Sequence, residues 1–189
     1  MSNVIELEAS FYLERNYENI LDKIKENGFE FSKSIIEEDT YFTDKDNIFI
    51  KDRICLRTRK TDENFFEITY KPKTDNKTEK YGKREVNIKI DVKDYEDTKY
   101  IIQELGYIEY VSFKKYRKIY TKIINNFEYN IMIDELENIG NFIELEILAN
   151  TEDEKEKLHD ELDKFIKKIG CESLKEKDKP YRDIVKEKV

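Results

Sequence analysis

At 189 residues the chain has room for one domain with a sizeable core, and its net charge of −8 argues against a general nucleic-acid binder. Charged residues reach 41%, but 13 Tyr and 11 Phe spread along the chain exclude a disordered polyelectrolyte. Cys55 and Cys171 have no metal-ligand spacing and read as reduced thiols. No signal pattern and no apolar run near the ~18 residues that span a bilayer is present, so a soluble cytoplasmic protein with no membrane partner is expected.

The first predicted strand is "VIELEASFYL" (4–13). Its odd positions Ile5, Leu7, Ala9, Phe11 and Leu13 are apolar, and Glu6, Glu8 and Ser10 share the other face. Carboxylates two residues apart on a strand lie about 7 Å from each other. They repel, and each resists desolvation unless a cation lies near. A helix follows at 16–28, capped by Asn16 and stopped by Gly28. The second strand, "SIIEEDTYFT" (34–43), is rich in β-branched and aromatic residues.

The third strand (53–60) sets Ile54, Leu56 and Thr58 against Arg53, Cys55, Arg57 and Arg59. The fourth (65–71) sets Phe66, Ile68 and Tyr70 against Glu67, Thr69 and Lys71. A polar loop, "KPKTDNKTEKYG" (71–82), leads to the fifth (83–90), where Val86, Ile88 and Ile90 oppose Lys83, Glu85, Asn87 and Lys89. After a helix at 94–106 comes a sixth strand (113–123), with Lys115 and Arg117 on one face. The seventh (127–134) opposes Tyr129, Ile131 and Ile133 to Asn130, Met132 and Asp134. The eighth (142–148) opposes Ile143, Leu145 and Ile147 to Glu144 and Glu146. A helix at 151–170 begins acidic and ends basic, as its dipole favours. His159 falls on its polar face and reads as solvated. The stretch "KEKDKPYRD" reads as a solvated connection into a final helix. Eight strands with few helices predict an α+β fold built on an antiparallel barrel or closed sheet.

The polar faces segregate by sign. The third, fourth and sixth strands offer mainly Arg and Lys, whereas the first and eighth each offer Glu-x-Glu. Ordinary surfaces intersperse the two signs. If the sheet closes with this face inward, it encloses a pore suited to a polyphosphate and its divalent ions. Guanidinium and ammonium groups neutralise phosphate oxygens, and carboxylates hold hard cations such as Mg²⁺ or Mn²⁺.

The motifs "IELEASF", "ICLRTRK", "EITYKPK", "KYGKREVNIKI", "FKKYRKIY" and "IDELENIGNFIELEI" occur in one order along nearly the whole chain. In that order they resemble the CYTH superfamily, the triphosphate tunnel metalloenzymes, which include class IV adenylate cyclases of the CyaB type and thiamine triphosphatase. The resemblance implies an eight-stranded antiparallel tunnel in a single domain over residues 1–189. It implies that Glu6, Glu8, Asp134, Glu144 and Glu146 hold Mg²⁺ or Mn²⁺. It implies further that Arg57, Arg59, Lys71, Lys115 and Arg117 hold the triphosphate. Lys83 and Glu85 fall where the family has a further basic–acidic pair, and Lys71 and Glu85 are the catalytic candidates. One departure stands out: the family's Glu-x-Glu-x-Lys opening has Ser10 in place of Lys.

The "LRTRK…TYKPK" run, "ELGY" and "KPYRDIV" resemble the CyaB-type layout, which implies conversion of Mg-ATP to cyclic AMP and pyrophosphate. The alternatives are an inorganic or organic triphosphatase, and a nucleotide or polyphosphate binder that lost its chemistry with the cation at position 10. Homodimers are implied by the resemblance alone.

Overall fold

A computed structural model describes residues 5–62, 64–73, 85–149 and 155–188. Its eight strands are β1 (Ile5–Leu13), β2 (Glu30–Thr43), β3 (Cys55–Thr61), β4 (Phe66–Lys71), β5 (Val86–Ile90), β6 (Ile108–Ile124), β7 (Phe127–Leu136) and β8 (Gly140–Ala149). The helices are α1 (Glu18–Glu26), α2 (Ile48–Lys51), α3 (Tyr95–Glu104), α4 (Lys155–Ile169) and α5 (Tyr181–Lys186). The strands form one antiparallel sheet in the order β1-β8-β7-β6-β2-β3-β4-β5.

The α+β class and the eight strands match expectation, but hydrogen bonding does not close the sheet among the described residues. A local reason lies at β1. Its outer edge is taken by the chain after α4, where Tyr12 N–H donates to Lys175 O at 2.9 Å and Lys177 N–H donates to Ser10 O at 2.8 Å. Those backbone groups are spent and cannot pair with another strand.

The chain divides into two compact units. The first comprises Met1–Ser34 and Tyr116–Asp178. In it the apolar face of β1 is buried as alternation requires, with Leu7, Ala9, Phe11 and Leu13 all in the core beside Ile143, Leu145 and Ile147 of β8. Helix α4 covers these strands with Leu158, Leu162, Phe165 and Ile169, whose spacing of four, three and four residues makes a single stripe. Its Phe165 stacks on Phe29, the rings 5.4 Å apart, just past the end of α1. Helix α1 stops where predicted, at Gly28, whose φ of +70° is the left-handed conformation that ends helices.

Between β6 and β7, Asn125 and Asn126 take φ of +51° and +67°, the signature of a two-residue primed hairpin turn. That turn pairs Ile124 with Phe127 and thereby fixes the register that brings Arg117 opposite Asp134. Unlike a strand facing water on one side, β7 is buried on both faces: Asn130, Met132 and Asp134 are as enclosed as Tyr129, Ile131 and Ile133.

The second unit comprises Ile35–Lys115 and Lys179–Val189. Its strand pairs set Asp39 opposite Arg59, Tyr41 opposite Arg57, Arg57 opposite Thr69, and Thr69 opposite Asn87. Burial here runs against the simple apolar-in reading. Thr69 is fully enclosed while Tyr70 is exposed, and on β5 only Ile90 is covered, Val86 and Ile88 being open. The polar face carries the enclosed network of this unit, and β5 is an edge strand, so among the described residues its distal apolar side chains lack a neighbour to cover them. Arg182 of α5 is buried and donates to the carbonyl oxygens of Ile54 and Phe49, tying the C-terminal helix to the start of β3. No helix among the described residues is long and apolar enough to cross a membrane.

Candidate functional site

In the second unit, alternate residues of β2, β3, β4 and β6 gather a buried ionic network. Arg59 forks onto Asp39, Nε at 2.6 Å from Oδ1 and Nη2 at 2.8 Å from Oδ2, while Nη1 reaches Glu37 Oε1 at 3.0 Å. Lys115 Nζ holds the other oxygen of Glu37 at 2.8 Å and is itself almost fully enclosed. Burial pushes the Asp39 carboxyl up, but Arg59, Arg57 and Lys115 outweigh it and hold it well below the carboxylate range. Lys71 Nζ lies 2.5 Å from Glu85 Oε2. Glu85 likewise stays below its ordinary value, because Lys71 and Arg57 outweigh its burial.

Arg57 is different. Its guanidinium is buried, yet among the described residues it makes one hydrogen bond, from Nη2 to Thr69 Oγ1 at 2.9 Å. Its carboxylate neighbours stand off, Asp39 at 3.8 Å, Glu67 at 3.8 Å and Glu85 at 3.9 Å, and its Nε has no hydrogen-bond partner among the described residues. A guanidinium carries five donors, and leaving them unmet in the interior is costly. Three carboxylates within 4 Å balance its charge without taking up its donors.

In the first unit, β1, β7 and β8 place carboxylates side by side. Glu8 pairs with Glu146 and Ser10 with Glu144 across β1 and β8, and Asn130 pairs with Glu146 across β7 and β8. Arg117 forks onto Asp134, both contacts at 2.6 Å, and also donates to Glu144. Lys177 Nζ reaches Glu144 Oε1 at 3.0 Å, and Ser10 Oγ lies 3.4 Å from the same oxygen. Asn130 Nδ2 donates to Glu128 and Glu146, each at 3.0 Å. Burial raises the Glu146 carboxyl against its hydrogen bonds to Asn130 and Glu6, and the nearby Glu8 adds to the rise. Asn130 Oδ1 is buried without a hydrogen-bond partner among the described residues.

Carboxylate and amide oxygens are the donors that hard divalent cations take. Among the described residues, however, no three acidic side chains converge as a preformed metal site. Glu6, Glu146 and the Asn130 Oδ1, which has no hydrogen-bond partner among the described residues, are oxygen donors of that kind.

A family-wide sequence profile described as CYTH domain matches residues 5–181. The chain belongs to the CYTH family. It is 34% identical over 152 residues to the "Putative adenylate cyclase MJ0240" of Methanocaldococcus jannaschii, covering 80% of this chain and 82% of that one. Among solved structures, the PH1819 protein of Pyrococcus horikoshii OT3 is 26% identical with a TM-score of 0.77, covering 97% of this chain and 99% of that one. A structure titled "Putative adenylyl cyclase HpAC1 from Hippeastrum reveals a dominant triphophatase activity" shares the fold at 13% identity and a TM-score of 0.69, covering 98% of this chain and 96% of that one.

Within this CYTH chain the predicted residues fall into the two clusters. Arg57, Arg59, Lys71, Lys115 and Glu85 share the network of the second unit. Arg117, Asp134, Glu144, Glu146 and Glu6 share that of the first, with Glu8 at its exposed margin. Lys83 lies outside the described residues, as does most of the predicted loop. Cys55 and Cys171 form no disulfide, and burial pushes the Cys171 thiol up to about 12, an inert state.

Sequence reasoning missed Glu37, Asp39, Asn130 and Lys177. The first two carry the same alternating acidic signature as Glu6 and Glu8, in "IIEEDTYF", where it is obscured by the intervening Glu38. Lys177 belongs to the stretch read as solvated, yet its side chain is only 9% exposed. Nothing local marks it, since its burial comes from the backbone pairing with β1.

Proposed function

We propose that this CYTH protein is an adenylate cyclase acting on Mg-ATP, with cyclic AMP and pyrophosphate as products. Arg57 carries the reading: a buried guanidinium with an unmet Nε and only stand-off carboxylate contacts suits a phosphate oxygen. Arg59, Lys115 and Lys71 of the same unit add the charge that a triphosphate requires, and the relative from Methanocaldococcus bears an adenylate cyclase name.

In cyclisation the ribose 3′ oxygen bonds to the α-phosphorus as the bond from that phosphorus to the bridging oxygen breaks. The hydroxyl proton leaves to solvent, and pyrophosphate departs carrying the electron pair. The chain's contribution is to hold the triphosphate in line and neutralise the leaving group. Glu85 holds the Lys71 ammonium in place at 2.5 Å. Glu6, Glu146 and the Asn130 oxygen would hold a divalent ion, Mg²⁺ or Mn²⁺, with Glu8, Asp134 and Glu144 in reserve. The ion's chemistry is withdrawal of charge from the phosphate oxygens.

The same grip on phosphates serves attack of water on the terminal phosphate, and only the products tell the two apart. Purified protein incubated with ATP, tripolyphosphate and thiamine triphosphate in Mg²⁺ or Mn²⁺ should yield cyclic AMP and pyrophosphate in equal amounts from ATP. Orthophosphate without cyclic AMP would overturn the cyclase reading in favour of a triphosphatase. Tight binding without any product would mark a polyphosphate binder.

A further inference from the structure

The segment after α4 lies along β1 for three residues. Phe11 and Glu176 form an antiparallel bridge, flanked by the hydrogen bonds from Tyr12 N–H to Lys175 O and from Lys177 N–H to Ser10 O. This register sets Lys177 directly across from Ser10. Residues opposite each other in an antiparallel pair project to the same side, about 5 Å apart at Cβ. Both side chains accordingly reach one atom: Lys177 Nζ is 3.0 Å, and Ser10 Oγ 3.4 Å, from Glu144 Oε1.

The pairing accounts for a neutral residue at position 10. A lysine there would stand directly opposite Lys177, and like charges in that relation are destabilising. Serine is small, leaves room for the four-carbon stem, and adds a weak polar contact to the same carboxylate. An ammonium enclosed to this degree is costly to desolvate and persists only with an anionic partner. Nor is the placement a matter of side-chain chance, since two backbone hydrogen bonds deliver the residue.

We propose that Lys177 is a phosphate-binding residue of the carboxylate cluster, supplying from the segment after α4 the cation that β1 lacks. The proposal rests on the triphosphate reading above. Lys is a compact charge on a flexible stem with three donors, so it can turn from a carboxylate oxygen to a phosphate oxygen while its backbone stays paired. Ser10 then marks a cation moved across a strand pair, without loss of the charge the site requires.

The test is calorimetric titration of inorganic tripolyphosphate into the wild-type protein, Lys177→Ser, and the exchange variant Ser10→Lys with Lys177→Ser, with a thermal melt of each. Lys177→Ser should weaken binding about 10- to 100-fold, the usual effect of losing a charged hydrogen bond. The exchange variant should return to within about fivefold of wild type, because the ammonium again lies on the same face. Wild-type affinity in Lys177→Ser would overturn the proposal. So would a weakened Lys177→Ser whose exchange variant stays weak, since that pattern marks a structural residue. Should Lys177→Ser alone fail to fold, a folded exchange variant that binds more than 10-fold below wild type overturns it equally. A wild-type protein that does not bind tripolyphosphate would instead sink the triphosphate reading itself, and this proposal with it.

Discussion

Replacing Arg59 with Met tests whether the network of the second unit is held by specific charge pairing. Arg59 makes two contacts to Asp39, at 2.6 and 2.8 Å, and one to Glu37 at 3.0 Å. Asp39 is 1% exposed, so the variant leaves a carboxylate in the interior with Arg57 at 3.8 Å as its remaining ion-pair partner. Glu37 keeps Lys115 at 2.8 Å. Removing one member of a buried pair costs about 3–5 kcal/mol. Because two cations remain, the lower end applies, about 3 kcal/mol, which corresponds to a fall in Tm of about 6–12 °C for a chain of this size.

The loss should depend on pH. Arg59, Arg57 and Lys115 hold the Asp39 carboxyl below its ordinary 3.8. A carboxyl depressed by folding stabilises the native state above that value, and the contribution is lost as pH falls through the window below it. Denaturant unfolding of wild type and Arg59→Met at pH 7 and pH 3 should show a gap of about 3 kcal/mol that narrows in acid. Adding Asp39→Leu to Arg59→Met should recover most of the loss at pH 7, since a buried pair replaced by apolar groups is close to neutral. A gap under about 1 kcal/mol at pH 7, or one that is equal at both pH values, would refute the reasoning.

Two further outcomes follow from the clusters. Arg57→Met should reduce tripolyphosphate affinity by about 10- to 100-fold in calorimetry, with a smaller loss of stability than Arg59→Met because its carboxylate neighbours stand at 3.8 to 3.9 Å; unchanged affinity would remove the main support for the phosphate assignment. Mg²⁺ at 100 times its dissociation constant should stabilise the wild-type protein by about 2.7 kcal/mol, read as a rise in Tm. Glu146→Gln should abolish that rise, and a rise that persists would place the ion elsewhere.

Alternation along single strands made much of the site legible. Glu6 with Glu8, Arg57 with Arg59, and Glu144 with Glu146 could each be assigned to one face, because strand side chains repeat every two residues whatever the strand packs against. The Asn125–Asn126 turn is equally local, and it determines that Arg117 meets Asp134. Which face is buried was not legible for β4 and β5, where Thr69 is enclosed and Val86 and Ile88 are open, since burial depends on neighbours remote in the chain. The pairing of basic residues with Glu37 and Asp39 required the order β6-β2-β3, a non-local property. Lys177 was decided by tertiary structure alone: it lies 167 residues after Ser10 in a stretch of mixed charge, and only the hydrogen bonds along the edge of β1 turn its ammonium onto Glu144. Local chemistry sets the side on which a residue projects, whereas its partner is set by which strands the folded chain brings together.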